Sequence, residues 1–283
     1  MAVWSLFVGL LDDRISLDFG LIDPALTFTL YEVEAQAFEK AVEDGADWVE
    51  LDVQESAEGE VIVVHDSDFM KLAGVPTKVW DVTAEELVEI DIGGWFAPEF
   101  SDQRTPTLAE ALAVVKGSAS RMLIELKYYG HDVRLEARVA EIVEAAGMAD
   151  RVAVMSLKYE GVQMMRALRP DWRVGVLAAT AVGDLARLDG DFVAVNASRA
   201  TSRLVRASDA AGKDLYVWTV NDPLRMTAMI SLGVDGLITD EPALAREVIA
   251  ARAELGAPAR LLLLLSQRMG LSLPAEAGRD ASP

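Results

Sequence analysis

The stretch Trp48–Asp66 brings two acidic residues close to one of the two histidines of the chain. Glu50 and Asp52 are two residues apart in a run typical of a β-strand, so their side chains project from the same face. A second apolar run ends at His65. Two carboxylates can bind a hard divalent cation, and an imidazole can transfer a proton. The alternative interpretation is a polar strand end whose charges face water.

A second pair of charged residues favours the first interpretation. Met122–Lys127 reads as another buried strand, and its Glu125 and Lys127 again share one face. An acid and a base at the end of an apolar strand are costly to bury unless they pair or bind something. We therefore expect both stretches to contribute to one site.

Composition excludes several classes of partner. The chain has 283 residues, 52% of them hydrophobic, with a net charge of −20 and no cysteine. This charge argues against nucleic acid and anionic membrane surfaces as partners, but not against an anionic small molecule held by a metal and local cations. The apolar segments Met1–Leu11 and Leu261–Leu265 are too short to span a bilayer. We expect a cytoplasmic or membrane-associated protein without a membrane span, and the oligomeric state stays open.

Strands and helices alternate along most of the chain, which is typical of an α/β protein with a parallel sheet. With Ile15–Ile22 and Trp48–Gln54 as the first two strands, residues 15–255 contain eight βα units, and the sequence predicts a TIM (β/α)8 barrel. Residues 1–14 are unassigned, and residues 256–283 are expected to form a C-terminal helix and tail. A doubly wound sheet is the alternative, although no glycine-rich phosphate loop follows the early strands.

Five motifs, in order, make the chain similar to a known family. They are G-A-D-W-V-E-L-D-V at Gly45–Val53, V-V-H-D at Val63–Asp66, I-E-L-K at Ile124–Lys127, V-W-T-V-N-D at Val217–Asp222 and G-V-D-G-L-I-T-D-E-P at Gly233–Pro242. From about Phe38 to Leu255 the sequence resembles the glycerophosphodiester phosphodiesterase family. The resemblance implies a TIM barrel with a small insertion after the second strand, at about residues 67–105.

The resemblance also implies an activity and a role for each matching residue. The activity is hydrolysis of a glycerophosphodiester, a small molecule, to sn-glycerol 3-phosphate and an alcohol. Glu50, Asp52 and Glu125 match ligands of a divalent metal, Mg²⁺ or Ca²⁺, which suits oxygen ligands. His65 matches a histidine that transfers a proton, and Lys127 matches a lysine that contacts the phosphate. Trp218 matches an aromatic residue on the glycerol side, with core packing as the alternative.

The sequence departs from the family pattern before Phe38. The family's His-Arg-Gly and Pro-Glu-Asn-Thr motifs are missing, and Asp23, Pro24 and Ala25 occupy the first of these positions. The other histidine, His131, follows Lys127 and is expected to be a loop residue at the rim. Loss of one general acid or base typically costs about 10²–10⁴-fold in rate.

Three explanations of this departure stay open. In the first, the N-terminal region is a truncated or shifted reading of a normal gene. In the second, the chain is a degenerate relative that is weakly active or non-catalytic. In the third, Asp23 acts as a replacement group. We expect a phosphodiesterase with a compromised site. The alternatives are a non-catalytic relative that binds metal or phosphate on the same barrel, and a different barrel enzyme such as a lyase for phosphorylated sugars.

Overall fold

The computed structural model describes residues 40–95, 98–101, 103–179 and 184–255. The strands are β1 (Trp48–Glu55), β2 (Val61–Val63), β3 (Asp68–Phe69), β4 (Val75–Lys78), β5 (Arg121–Leu126), β6 (Val152–Ser156), β7 (Arg173–Ala178), β8 (Phe192–Asn196), β9 (Asp214–Trp218) and β10 (Gly236–Leu237). The helices are α1 (Met70–Ala73), α2 (Ala84–Glu89), α3 (Leu108–Lys116), α4 (Leu135–Ala146), α5 (Tyr159–Leu168), α6 (Ser202–Ala210), α7 (Pro223–Leu232) and α8 (Pro242–Glu254).

The main sheet has the strand order of a barrel. Its order is β10-β9-β8-β7-β6-β5-β1-β2, so each parallel strand pairs with its neighbour along the chain. A doubly wound sheet would reverse direction at a switch point, and this sheet does not. Arg246 of α8 reaches the start of β1, where its Nε donates to the carbonyl oxygen of Gly45 at 2.8 Å. The prediction of an α/β TIM fold is confirmed, and the doubly wound alternative is wrong.

Some predicted segments lie outside the described residues. These are the first strand Ile15–Ile22, residues 1–14 and residues 256–283, and the domain limits drawn from them stay a prediction. The turn after β1 contains Ala57-Glu58-Gly59-Glu60, a sequence that predicts a β-hairpin. This prediction is confirmed, because β2 pairs antiparallel with β1 and Ser56 N donates to Glu60 O at 2.9 Å.

Two hydrophobic layers hold the sheet. On its helical side, Val193 and Leu215 pack with Met226 of α7 and Ala245 of α8 in one buried cluster. On the interior side, the rings of Phe192 and Tyr216 lie 4.9 Å apart. Alternate residues of each strand therefore serve the two layers, as the short apolar strands predicted.

The segment between β2 and α3 forms the insertion after the second predicted strand. It contains the β3–β4 hairpin, α1 and α2, and it packs around its own buried cluster, which includes Phe69, Val79 and Ile92. From the sequence, the one element predicted here is a short helix at Thr83–Ile90, which corresponds to α2. Strands of two and four residues are too short to reveal a period-2 pattern.

The positions of the helices agree with local sequence signals, apart from one short predicted helix. The Thr-x-x-Glu spacing of Thr83 with Glu86 and of Thr107 with Glu110 predicts two capping boxes, and both are present. In the second, Thr107 Oγ1 accepts from Glu110 N while Glu110 Oε2 accepts from Thr107 N. The sequence after β7 also predicts a short helix at Gly183–Leu188. This prediction is wrong, because the described residues there form only a 3-10 turn, Leu185–Arg187. Such a short segment cannot repay the cost of nucleating an α-helix.

Gly175 of β7 tests the packing of the barrel interior. A Cβ at this position would lie 2.1 Å from the ring of Phe192, which is buried. We expect Gly175→Ala to lower the free energy of unfolding by about 1–3 kcal/mol, measured by urea denaturation, because the core is overpacked. The control is Gly117→Ala, where the nearest atom is 3.7 Å away and φ is −72°. If adding Phe192→Leu gives no relief, the ring contact is not the cause.

Candidate active site

Three carboxylates converge because β1 and β5 are parallel neighbours. In their register Asp52 lies opposite Glu125, and Glu50 precedes Asp52 on the same face. One carboxylate oxygen from each residue lies within 4.8 Å of the others, and all three residues are buried. They lie on the barrel interior, towards the C-terminal strand ends, where TIM-barrel active sites lie.

Lys127 is the cation that faces these carboxylates. It follows β5 directly, and its Nζ lies 2.7 Å from Glu125 Oε1 and 3.2 Å from Asp52 Oδ1. Burial lowers the pKa of the Lys127 ammonium, but Asp52 and Glu125 outweigh burial and hold that pKa above its ordinary value. Lys127 is therefore charged at neutral pH.

The carboxylates are only partly compensated. Burial raises the pKa of Glu125 to about 8, and burial together with Asp52 and Glu125 raises the pKa of Glu50 well above 4.5. One lysine cannot balance three ionised carboxylates. An all-oxygen donor set in a negative, buried pocket fits a hard divalent cation such as Mg²⁺ or Ca²⁺. A divalent cation would replace the protons that burial otherwise favours.

His65 lies beside this centre and is fixed by its neighbour in sequence. Its Nδ1 lies 2.8 Å from Asp66 Oδ1, and Asp66 Oδ2 lies 2.9 Å from Lys71 Nζ. Burial lowers the pKa of the His65 imidazole below 6.5, while Asp52, Lys127 and Asp66 also act on that pKa. Because the contact with Asp66 assigns the Nδ1 proton, proton exchange with a substrate falls to Nε2.

The remaining predicted residues are Trp218, His131 and Asp23, and the described contacts of the first two are with hydrophobic or aromatic groups. Trp218 ends β9, is half-buried and packs against a large buried hydrophobic cluster that includes Tyr216 and Ile238. His131 is exposed in the β5–α4 loop and stacks on Trp80, with ring centroids 4.1 Å apart. Asp23, the suggested replacement group, lies outside the described residues.

Sequence reasoning missed the polar pair that follows β9 and β10. Asp240 is buried and raises the pKa of Glu50, so it adds negative potential to the centre. Asn221 Oδ1 accepts from Asp240 N at 2.8 Å and from Thr239 Oγ1 at 3.0 Å. The signal was available, because both residues follow adjacent strands at their C-terminal ends.

The fold and the site define an α/β-barrel enzyme with a buried acidic centre of the kind that binds a divalent metal. Comparison with known proteins makes this specific, because residues 31–244 match the glycerophosphoryl diester phosphodiesterase family. The chain belongs to this family.

Individual relatives agree with this assignment. The chain is 31% identical over 218 residues to a glycerophosphodiester phosphodiesterase of Bacillus altitudinis, covering 73% of this chain and 87% of that protein. It is 28% identical over 215 residues to one of Caldanaerobacter subterraneus subsp. tengcongensis, with 73% and 87% covered. An Oleispira antarctica phosphodiesterase, solved in complex with the product sn-glycerol-3-phosphate, shares the fold with a TM-score of 0.72 and 23% identity, over 77% of this chain and 92% of that one.

Among the described helices none is long and apolar enough to cross a membrane.

Substitution of Lys127 tests the charge balance of the site. We expect Lys127→Met, measured in metal-free buffer, to lower the free energy of unfolding by about 3–5 kcal/mol, because it removes one partner of a buried ion pair. Added Mg²⁺ or Ca²⁺ should restore part of this loss by replacing the positive charge. The control Lys40→Met removes an exposed lysine and should change stability little. A cost equal to that of the control would contradict the electrostatic account.

Substitution of Asp66 tests how its carboxylate affects the pKa of His65. The folded pKa of His65 lies below 6.5, so the contribution of the neutral ring to stability is complete above pH 6.5 and is lost as the pH falls through the folded value. We expect Asp66→Asn to lower this pKa further, because the imidazolium loses its carboxylate partner. An NMR titration of the imidazole measures the shift. Asp68→Asn, whose carboxylate faces Lys78, is the control and should leave the His65 titration unchanged.

Proposed function

We propose that this chain hydrolyses glycerophosphodiesters to sn-glycerol 3-phosphate and an alcohol. Its partner is a small anionic diester, and the site that acts on it is formed by Glu50, Asp52, Glu125, Lys127 and His65. The convergence of three buried carboxylates and a lysine, from β1 and from the end of β5, carries this proposal. Membership of the family supports the choice of substrate.

Glu50, Asp52 and Glu125 would hold one divalent cation, Mg²⁺ or Ca²⁺. Such a cation neutralises phosphate oxygens and orients the diester. Lys127, held by Glu125 and Asp52, adds a second positive charge that stabilises negative charge developing on the phosphate. Trp218 lines the glycerol side of the pocket in this proposal, at the C-terminal end of β9.

His65 transfers the proton. Its Nδ1 is held by Asp66, so its Nε2 exchanges a proton with the attacking water or with the leaving alcohol. The family uses two histidines for this purpose, and the chain has only His65 and His131. His131 is stacked on Trp80 at the exposed rim. We therefore expect turnover slower by about 10²–10⁴-fold than in a relative with both groups.

A second function has one observation in its favour. The His-Arg-Gly motif is missing from the sequence, so a relative that binds metal and phosphate without turnover would keep the acidic centre and lose the chemistry. The retained lysine and His65 favour catalysis over this alternative.

The assay is release of glycerol 3-phosphate from glycerophosphocholine with added Mg²⁺ or Ca²⁺. We expect metal-dependent turnover that Glu50→Gln reduces by at least about 100-fold, because the cation loses a ligand. Glu160→Gln, at an exposed position on α5, is the control and should retain activity.

Two outcomes would decide against catalysis. Metal binding by calorimetry without product release would favour the non-catalytic alternative. Absence of both metal binding and product release would contradict the metal site itself.

A further inference from the structure

Gln54 continues the row of side chains that begins with Glu50 and Asp52. The three residues are spaced by two along β1 and therefore share one face of the strand. Gln54 is almost fully buried, with 2% of its surface exposed. It thus lies one step beyond the carboxylates, towards the C-terminal end of β1, and it needs buried hydrogen-bond partners.

Those partners are the backbone of the His65 segment. Gln54 Nε2 donates to the carbonyl oxygens of Val64, His65 and Asp66 at 2.8, 3.0 and 2.8 Å. The amide has two protons for three acceptors, so one proton is shared. This segment follows the end of β2. A backbone hydrogen bond from Val64 N to Asp52 O, at 3.0 Å, joins the segment to β1.

A second side chain, from the loop after β5, also holds the carbonyl oxygen of His65. The hydroxyl of Tyr129, two residues after Lys127, donates to His65 O at 3.0 Å. The backbone of His65 is therefore bonded to the strand that carries Asp52 and to the loop that follows Glu125. Asp66, which fixes the imidazole through Nδ1, belongs to the same held segment.

We infer that Gln54 and Tyr129 are positioning residues that set the place of the His65 imidazole relative to the three carboxylates. Neither needs to contact the substrate for this role. The consequence for turnover rests on the proposed function, whereas the consequence for the geometry of His65 does not. A purely structural role would stabilise the fold without affecting the imidazole.

The two histidines of the chain make a direct test possible. Imidazole NMR signals of His65 and His131 are recorded for the parent chain, Gln54→Met, Tyr129→Phe and Gln163→Met. Gln163 is exposed on α5, so its variant is the matched control. We expect Gln54→Met to shift or broaden the His65 signals while His131 stays unchanged. Tyr129→Phe, which removes only a hydroxyl, should give a smaller change and keeps the test valid if Gln54→Met does not fold.

Turnover gives the second readout. We expect kcat for glycerophosphocholine to fall by about 10–100-fold in Gln54→Met, with little change in KM or in metal affinity. In a His65→Ala background the same substitution should cause no further loss, because it acts through His65.

The outcomes separate the inference from the proposed function. Unchanged His65 NMR signals in both Gln54→Met and Tyr129→Phe would overturn the inference. It would also be overturned if Gln54→Met lowered kcat in the His65→Ala background as much as it does in the parent chain. Perturbed His65 signals in a parent chain that shows no turnover would uphold the positioning role and reject the proposed function. Normal kcat in Gln54→Met, in a parent that does turn over, would reject the inference alone.

Discussion

Burying three carboxylates against one ammonium is the interaction on which the site depends. Removal of a carboxylate from water is costly, and the cost is met only by a partner charge or by protonation. Lys127 pairs with Asp52 and Glu125, and the raised pKa values of Glu50 and Glu125 show that the balance is incomplete. Asp240 adds to the imbalance. The remaining negative charge can be balanced by protonation of a carboxyl group or by a cation from outside the chain.

The opposite end of the barrel shows what a balanced arrangement looks like. At the first residues of β7 and β9, Arg173 pairs with Asp214, and the hydroxyl of Tyr216 donates to Asp214 Oδ2 at 2.8 Å. Here each charge has its counter-charge within the chain. Among the described strands, this pair at the N-terminal ends is balanced, whereas the three carboxylates of the candidate site face a single lysine, in agreement with the usual division between stability and function in this fold.

Local signals in the sequence predicted most of the fold and the centre of the site. Helix α3 begins at Leu108, as the sequence predicts, because Thr107 and Glu110 form a capping box, which is encoded within four residues. Glu50 and Asp52 could be placed on one face because strand periodicity is local. The particular role of each site residue came from the resemblance and stays a prediction, while the structure shows that Glu125 and Lys127 lie beside Asp52.

What escaped prediction depends on contacts between distant residues. Gln54 reads as an ordinary polar residue after two acids, and its bonds to residues 64–66 exist only because β2 folds back beside β1. Tyr129 reaches a carbonyl 64 positions away. The hairpin β3–β4 was missed because its short strands are held by the separate cluster of the insertion, which includes Phe69. No local pattern encodes such contacts.

The missing second histidine matters because of the protonation state of the first. Burial lowers the pKa of His65 below 6.5, so its ring is mainly neutral at neutral pH. With Nδ1 held by Asp66, that neutral ring can accept a proton at Nε2, which is what an attacking water requires. A departing alcohol requires the opposite, a group that already carries a proton. His131 is stacked on Trp80 at the rim, so in the described part of the chain no second histidine stands beside the carboxylates. On the proposed function, we therefore expect the step that needs an acid to be the slow one.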